Sequence, residues 1–95
     1  MTKRKRLHIF YSGRVQGVGF RYETKETAQR LGLVDWVRNR RDGRVETVVE
    51  GNEQTLKSFL VALQSGPLGL NIRHAETSWH DATGEFSSFT IRTTE

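Results

Sequence analysis

Nine residues, Gly13-Arg14-Val15-Gln16-Gly17-Val18-Gly19-Phe20-Arg21, combine three glycines with two arginines immediately before a helical pattern. Such a segment is suited to holding an anion. Glycine lets successive main-chain N–H groups converge without a Cβ in the way, and the free N–H groups of a helix's first turn add a positive dipole end. Arg21 supplies a planar fork of donors that matches phosphate oxygens in pairs and keeps its charge at any working pH. The candidate phosphate-binding residues are therefore Arg14, Val15, Gln16, Gly17, Val18 and Gly19, with Arg21 as the charged side chain. Two other phosphate loops do not fit. A Walker A loop needs Gly-Lys-Ser/Thr, whereas Gly17 is followed by Val18 and Gly19, leaving no lysine for the terminal phosphates and no hydroxyl for magnesium. A dinucleotide fingerprint needs a glycine three positions after Gly19, and Tyr22 stands there.

The rest of the chain limits the chemistry available to that loop. There is no cysteine, so a thiol nucleophile, a disulfide framework and a cysteine-based zinc site are excluded, and a reducing cytoplasm is the expected setting. His8, His74 and His80 are scattered and read as ordinary strand or surface residues, with no His/Glu pair at metal-binding spacing. No serine has an evident base beside it. An enzyme using this loop has to work by positioning and electrostatics, with no metal and no cofactor expected.

Ninety-five residues suit one small domain, and hydrophobic content of 35% without a long apolar run predicts no membrane span. Fifteen Lys/Arg against eleven Asp/Glu give a net charge of +4, a balance that draws anionic metabolites as readily as nucleic acid. Four cations, Lys3 to Arg6, crowd the start of the chain, where a secretory signal would turn apolar. Residues 1–6 read as a basic flexible tail, with a nucleic-acid contact as the alternative, and residues 7–95 as a single domain.

The loop needs elements to hold it. Leu7, Ile9 and Tyr11 alternate as a strand; Phe20, Thr24, Ala28 and Leu31 recur at helical spacing, with Gly32 as the stop. Residues 33–40 and 44–50 read as strands joined by the hairpin signal Arg41-Asp42-Gly43. Asn52 is placed to cap a second helix with a Leu56, Phe59, Leu60, Leu63 stripe, ended by Gly66-Pro67. Leu70 and Ile72 begin a fourth strand, 81–84 form a turn, and 86–92 a closing strand. The order predicts an α+β, ferredoxin-like βαββαβ sandwich: an antiparallel sheet with two helices on one face, plus an extra C-terminal strand. In that topology strands one and two run the same way with strand three between them. The glycine loop and Asn39 then share one edge of the sheet, about 10 Å apart laterally. Taken alone, Asn39 reads rather as a strand-end polar residue that opens the hairpin.

Two segments, GRVQGVGFR at 13–21 and Gly32-Leu33-Val34-Asp35-Trp36-Val37-Arg38-Asn39 followed by Asp42-Gly43-Arg44-Val45-Glu46, resemble the two signatures of the small acylphosphatases in their order. The resemblance implies metal-independent hydrolysis of acyl phosphates to carboxylate and phosphate. It implies Arg21 and Asn39 as the catalytic residues: Arg21 holds the phosphate with the 14–19 loop, Asn39 orients the attacking water, and a phosphate oxygen takes its proton. The residue inventory suits that reaction, because a carboxylate leaves without a general acid and a loose transition state asks for stabilised oxygens and an aligned water. A small-molecule acyl phosphate is the expected partner, with inorganic phosphate or sulfate competing at the loop and the protein acting as a monomer.

The alternative is a ferredoxin-like RNA-binding module, but the third strand, Arg44 to Glu50, carries two acids and none of the stacking aromatics such modules display. A module of a larger carbamoyl-transfer protein would bring a cysteine-rich zinc segment, and a free-standing enzyme is the better expectation. Arg38, Arg40 and Arg41 read as a solvated rim and Trp36 as strand packing. Leu70 and Ala75 depart from the family pattern at positions expected to affect packing.

Overall fold

The computed structural model describes residues 3–95. Its elements are β1 (Arg4–Gly13), α1 (Phe20–Arg30), β2 (Val34–Asn39), β3 (Val45–Asn52), α2 (Glu53–Ser65), a short 3-10 turn (Gly69–Asn71), β4 (Ile72–Asp81) and β5 (Phe89–Ile91). The five strands form one sheet in the order β4-β1-β3-β2-β5. β3 pairs antiparallel with both β1 and β2, so β1 and β2 run the same way and end at one edge.

Strand alternation decides which face meets the helices. Leu7, Ile9 and Tyr11 of β1 lie opposite Val49, Thr47 and Val45 of β3, and all six are buried. They pack with Val37 of β2, Phe20 and Ala28 of α1, and Leu56, Phe59 and Leu63 of α2 into a single core. Each helix has a local reason for its ends. α1 closes in a Schellman arrangement, with Leu33 N–H donating to the Ala28 carbonyl at 2.8 Å and Gly32 N–H to that of Gln29 at 3.1 Å. Asn52 caps α2 through its side-chain oxygen, which accepts from Thr55 N–H at 3.2 Å.

Several expectations are corrected. Strand pairing starts at Arg4, which lies opposite Asn52, and the Lys3 carbonyl accepts Glu53 N–H at 2.9 Å. Lys3 to Arg6 are therefore part of the fold rather than a tail; residues 1 and 2 of the expected 1–6 tail lie outside the described residues. The four strands of the expected βαββαβ core pair antiparallel, as expected, and only the extra C-terminal strand β5 makes the sheet mixed, by pairing parallel with β2. A chain leaving β4, which runs against β1, must reverse before forming another strand, and on docking against β2 it runs with it. β5 is also shorter than the 86–92 expected. Leu70 sits in the 3-10 turn, fully exposed, and takes no part in packing.

On the face away from the helices, Glu46 is nearly buried and accepts from Arg38 Nε at 2.8 Å and Arg40 Nη1 at 3.2 Å, with His8 Nε2 2.6 Å away. Burial opposes its ionisation, but the hydrogen bonds from Arg38 and His8 outweigh it and hold the carboxyl below the usual range. Arg38 and Arg40 are thus tied down, not a solvated rim. Trp36 is buried between the guanidinium groups of Arg38 and Arg92, each 4.7 Å from its ring centre, which agrees with a packing role.

A second acidic cluster lies at the opposite end of β2. Asp35 has φ of 116°, a region L side chains seldom adopt, and is fully buried. Its Oδ2 and the Glu50 Oε2 share Arg6 Nη1, at 3.1 and 3.0 Å. Thr83 and Gly84 donate their N–H groups to Glu50 at 2.8 and 3.0 Å, fastening the loop after β4. Burial and then the Glu50 carboxylate push Asp35 up to about 6, against the pull of Arg6. Burial also opposes ionisation of Glu50, but the Thr83 and Gly84 amides and Arg6 outweigh it and bring that group down to about 2.

The two carboxylates act on stability with opposite signs. The raised Asp35 contributes stability below about pH 4 that is lost as pH rises to about 6. The depressed Glu50 contributes stability above its ordinary value that is lost as pH falls toward about 2. Asp35→Asn, which keeps the shape and tolerates positive φ, is expected to remove the decline between pH 4 and 6 and to stabilise the protein at pH 7 by on the order of 1–2 kcal/mol. Thermal melts followed by circular dichroism at several pH values check this; parallel profiles for the two proteins would refute it.

Candidate active site

The loop leaving β1 turns on Gly17 and Gly19, which hold φ of 76° and 85°. A Cβ at either position would meet nothing within 4 Å. Within the chain these glycines are needed for their backbone conformation, which costs an L residue about 1–2 kcal/mol. Gly19 is also the N-cap of α1 and offers no side-chain acceptor, so the first-turn amides keep no partner within the helix.

A cavity of about 210 Å³ opens at this point, lined by Val15, Gly17, Gly19, Phe20, Arg21, Tyr22, Asn39 and Ile91. The sheet brings Arg21 and Asn39 to one volume, as strand order required. Arg6, Arg38, Arg40 and Arg44 each pair with a carboxylate; among the described residues Arg21 has no such partner. Asn39 is paired with Val45 of β3 on one side, and on the other its carbonyl accepts Glu95 N–H at 3.1 Å. Its side-chain Oδ1 is buried and has no hydrogen-bond partner among the described residues. A buried acceptor left open in this way is costly unless a ligand or water donates to it.

The loop residues divide by what their groups are doing. Val15, Gly17 and Gly19 line the cavity. Val18 packs against the core. Gln16 donates from Nε2 to the Arg40 carbonyl at 2.7 Å and to the Arg44 carbonyl at 2.9 Å, across the β2–β3 hairpin. Its side chain therefore clamps the loop to the strand end that carries Asn39, and only its main chain is left to face an anion. Arg14 is the one loop residue the structure sets apart. Its N–H donates to the Asn71 carbonyl at 2.9 Å, and it lines a separate, shallower depression of about 720 Å³ with Ser12, Gly13, Leu70, Asn71 and Arg73.

Phe20, Tyr22 and Ile91 line the cavity without having been singled out from the sequence. Tyr22 carried a usable signal, since it lies off the Phe20, Thr24, Ala28 stripe and so cannot be core. Ile91 had none, because its place depends on the parallel pairing with Val37 far away in the chain.

The Acylphosphatase family model matches residues 7–91. The chain belongs to the acylphosphatase family. It is 43% identical over 88 residues to the acylphosphatase of Pelotomaculum thermopropionicum, covering 93% of this chain and 96% of that protein. It is 44% identical over 91 residues to that of Pyrobaculum calidifontis, covering 95% and 83%. Among solved structures it is similar to the acylphosphatase from Bacillus subtilis, with a TM-score of 0.86 and 37% identity over 93% of this chain and 98% of that one. Membership of this acylphosphatase family makes the chain an enzyme of the acyl phosphate hydrolase class (EC 3.6.1.7).

The clamp generates a prediction. Gln16→Ala removes two hydrogen bonds to hairpin carbonyls that keep their main-chain donors, the N–H groups of Gly43 and Arg40, and is expected to cost about 1–2 kcal/mol of stability. Because it also frees the loop from the Asn39 strand end, kcat/KM on an acyl phosphate falls with it. Urea unfolding and steady-state kinetics check both; an unchanged kcat/KM would show that the clamp does not set the active geometry.

Proposed function

We propose that the cavity hydrolyses acyl phosphates without a metal, holding the phosphate on Arg21 and the main-chain amides of the 15–19 loop and α1, and aligning water on Asn39. The observation that carries this reading is that Arg21 and Asn39 line one cavity while the Asn39 Oδ1 is buried without a hydrogen-bond partner among the described residues. An amide oxygen there accepts a hydrogen bond from water and turns a lone pair of that water toward phosphorus. As the water's oxygen bonds to phosphorus, the bond to the carboxylate oxygen breaks and the acyl group leaves as a carboxylate. The water's proton passes to a non-bridging phosphate oxygen. The chain thus has no need of a general acid or base, and its contribution is to bind three oxygens and orient the fourth.

The donor set supports metal independence on electrostatic grounds. One guanidinium and a ring of N–H groups create a positive field that welcomes an anion and opposes a divalent cation. The same field makes inorganic phosphate and sulfate competitors of the substrate. Arg14 contributes to this field only from outside the cavity. Each residue this reading uses comes from one chain, so a monomer suffices for it.

Substitutions separate the two roles. Arg21→Ala weakens phosphate binding and turnover together, because a charged contact present in the ground state is lost as well as its transition-state part. Asn39→Ala leaves phosphate affinity mostly intact and lowers kcat by on the order of 10² or more. Phosphate titration and kcat on benzoyl phosphate, with folding checked by circular dichroism, test both. A near wild-type kcat for Asn39→Ala would return Asn39 to being an ordinary hairpin residue.

A further inference from the structure

We infer that Tyr22 and Ile91 form an acyl-binding wall at the mouth of this cavity, so that the enzyme favours acyl phosphates with uncharged apolar acyl groups, aromatic ones above all. The inference rests on the phosphate end of the cavity being read as above. The lining residues are arranged unequally. Gly17, Gly19, Arg21 and Asn39 supply main-chain or side-chain polar groups, whereas Val15, Phe20, Tyr22 and Ile91 supply apolar surface. Val15 and Phe20 are buried and hold the floor, but Tyr22 is 66% exposed and Ile91 39%.

Exposed large apolar side chains are uncommon enough on this molecule to be informative. Five occur among the described residues, and two of them flank this one cavity. Neither is placed by core packing. Tyr22 lies on the third position of α1, and helical side chains lean toward the N-terminus, which carries its ring over the anion-binding turn. Ile91 is the last residue of β5, brought alongside by pairing with Val37 two residues before Asn39.

A phosphate seated against the α1 amides must direct its acyl group outward, past these two residues. Arg21 is the only charged residue in the lining, and the phosphate engages it. A second carboxylate or phosphate on the acyl group would lie against Tyr22 and Ile91 with no cation to pair with, losing hydration without compensation. A benzoyl ring would instead cover part of both side chains. Removing about 50 Å² of apolar surface from water corresponds to about a tenfold preference.

The test compares kcat/KM on benzoyl, acetyl and succinyl phosphates, with inhibition by inorganic phosphate reporting the anion end separately. The wild type should prefer benzoyl phosphate, with succinyl phosphate the poorest. Tyr22→Ala should lower the benzoyl-to-acetyl ratio about tenfold, and Tyr22→Phe, which keeps the ring, should retain it. Ile91→Lys, which adds a cation at the wall, should raise the succinyl-to-acetyl ratio. An unchanged benzoyl-to-acetyl ratio in Tyr22→Ala, or equal rates on benzoyl and succinyl phosphates in the wild type, overturns the acyl wall while phosphate inhibition leaves the anion site standing. Absence of both hydrolysis and phosphate inhibition overturns the phosphate-end reading and the wall with it.

Discussion

The central strand β3 pairs antiparallel with both β1 and β2, and the rest of the molecule depends on that double pairing. Two strands held antiparallel to a common neighbour run in the same direction, so the chain exits both at one edge. One exit becomes the glycine loop and α1, the other carries Asn39. The spacing between them is then set by two interstrand distances, a quantity main-chain hydrogen bonding holds far more rigidly than side-chain packing holds a loop. Gln16 completes the constraint. By donating to the Arg40 and Arg44 carbonyls it transfers the rigidity of the hairpin to a loop that would otherwise be free to move on its glycines.

Much of this was legible in the sequence, for reasons that differ between elements. The alternation of Leu7, Ile9 and Tyr11, the stripe on the second helix and the Asp42-Gly43 turn are local patterns, and each formed where its period indicated. The nearness of Arg21 and Asn39 was legible because strand order follows from the sequence of elements, and both line one cavity. The misreadings share a cause. Lys3 to Arg6 look like a solvated run, yet pairing with β3 and the buried Glu50 draws them into the sheet. Arg14 looks like part of the cradle until Asn71, distant in sequence, takes its amide. In each case the deciding partner is remote along the chain, and no local period reports it.

The fold also carries a feature that works against its own stability. Asp35 combines an unfavourable backbone conformation with burial beside a second carboxylate, and one guanidinium serves both. Such a site persists only where the surroundings over-determine it. Here they do: Asp35 N–H donates to the Ser88 carbonyl at 3.1 Å, Phe89 pairs alongside, and Glu50 fastens Thr83 and Gly84 of the same return loop. That loop leads into β5, whose last residue is Ile91. The acidic cluster at one end of β2 is therefore joined through β5 to the cavity wall at the other end.

The proposed anion site, built from main-chain amides, would have a physical consequence for how the reaction is distinguished from its neighbours. Amides on a helix's first turn and on left-handed glycines are oriented by the backbone, so they need little reorganisation as charge develops on the phosphoryl oxygens. A site made this way stabilises the transferring group but offers the leaving group nothing. It serves a leaving group that departs as a stable carboxylate and fails one that must be protonated to depart. On the proposed reading, chemical selectivity for the mixed anhydride comes from what the site leaves undone, while selection among acyl groups falls to the apolar residues at its mouth. The two proposed selections use opposite ends of one cavity, so on this reading the chain can alter Tyr22 or Ile91 without disturbing the backbone proposed to bind the phosphate.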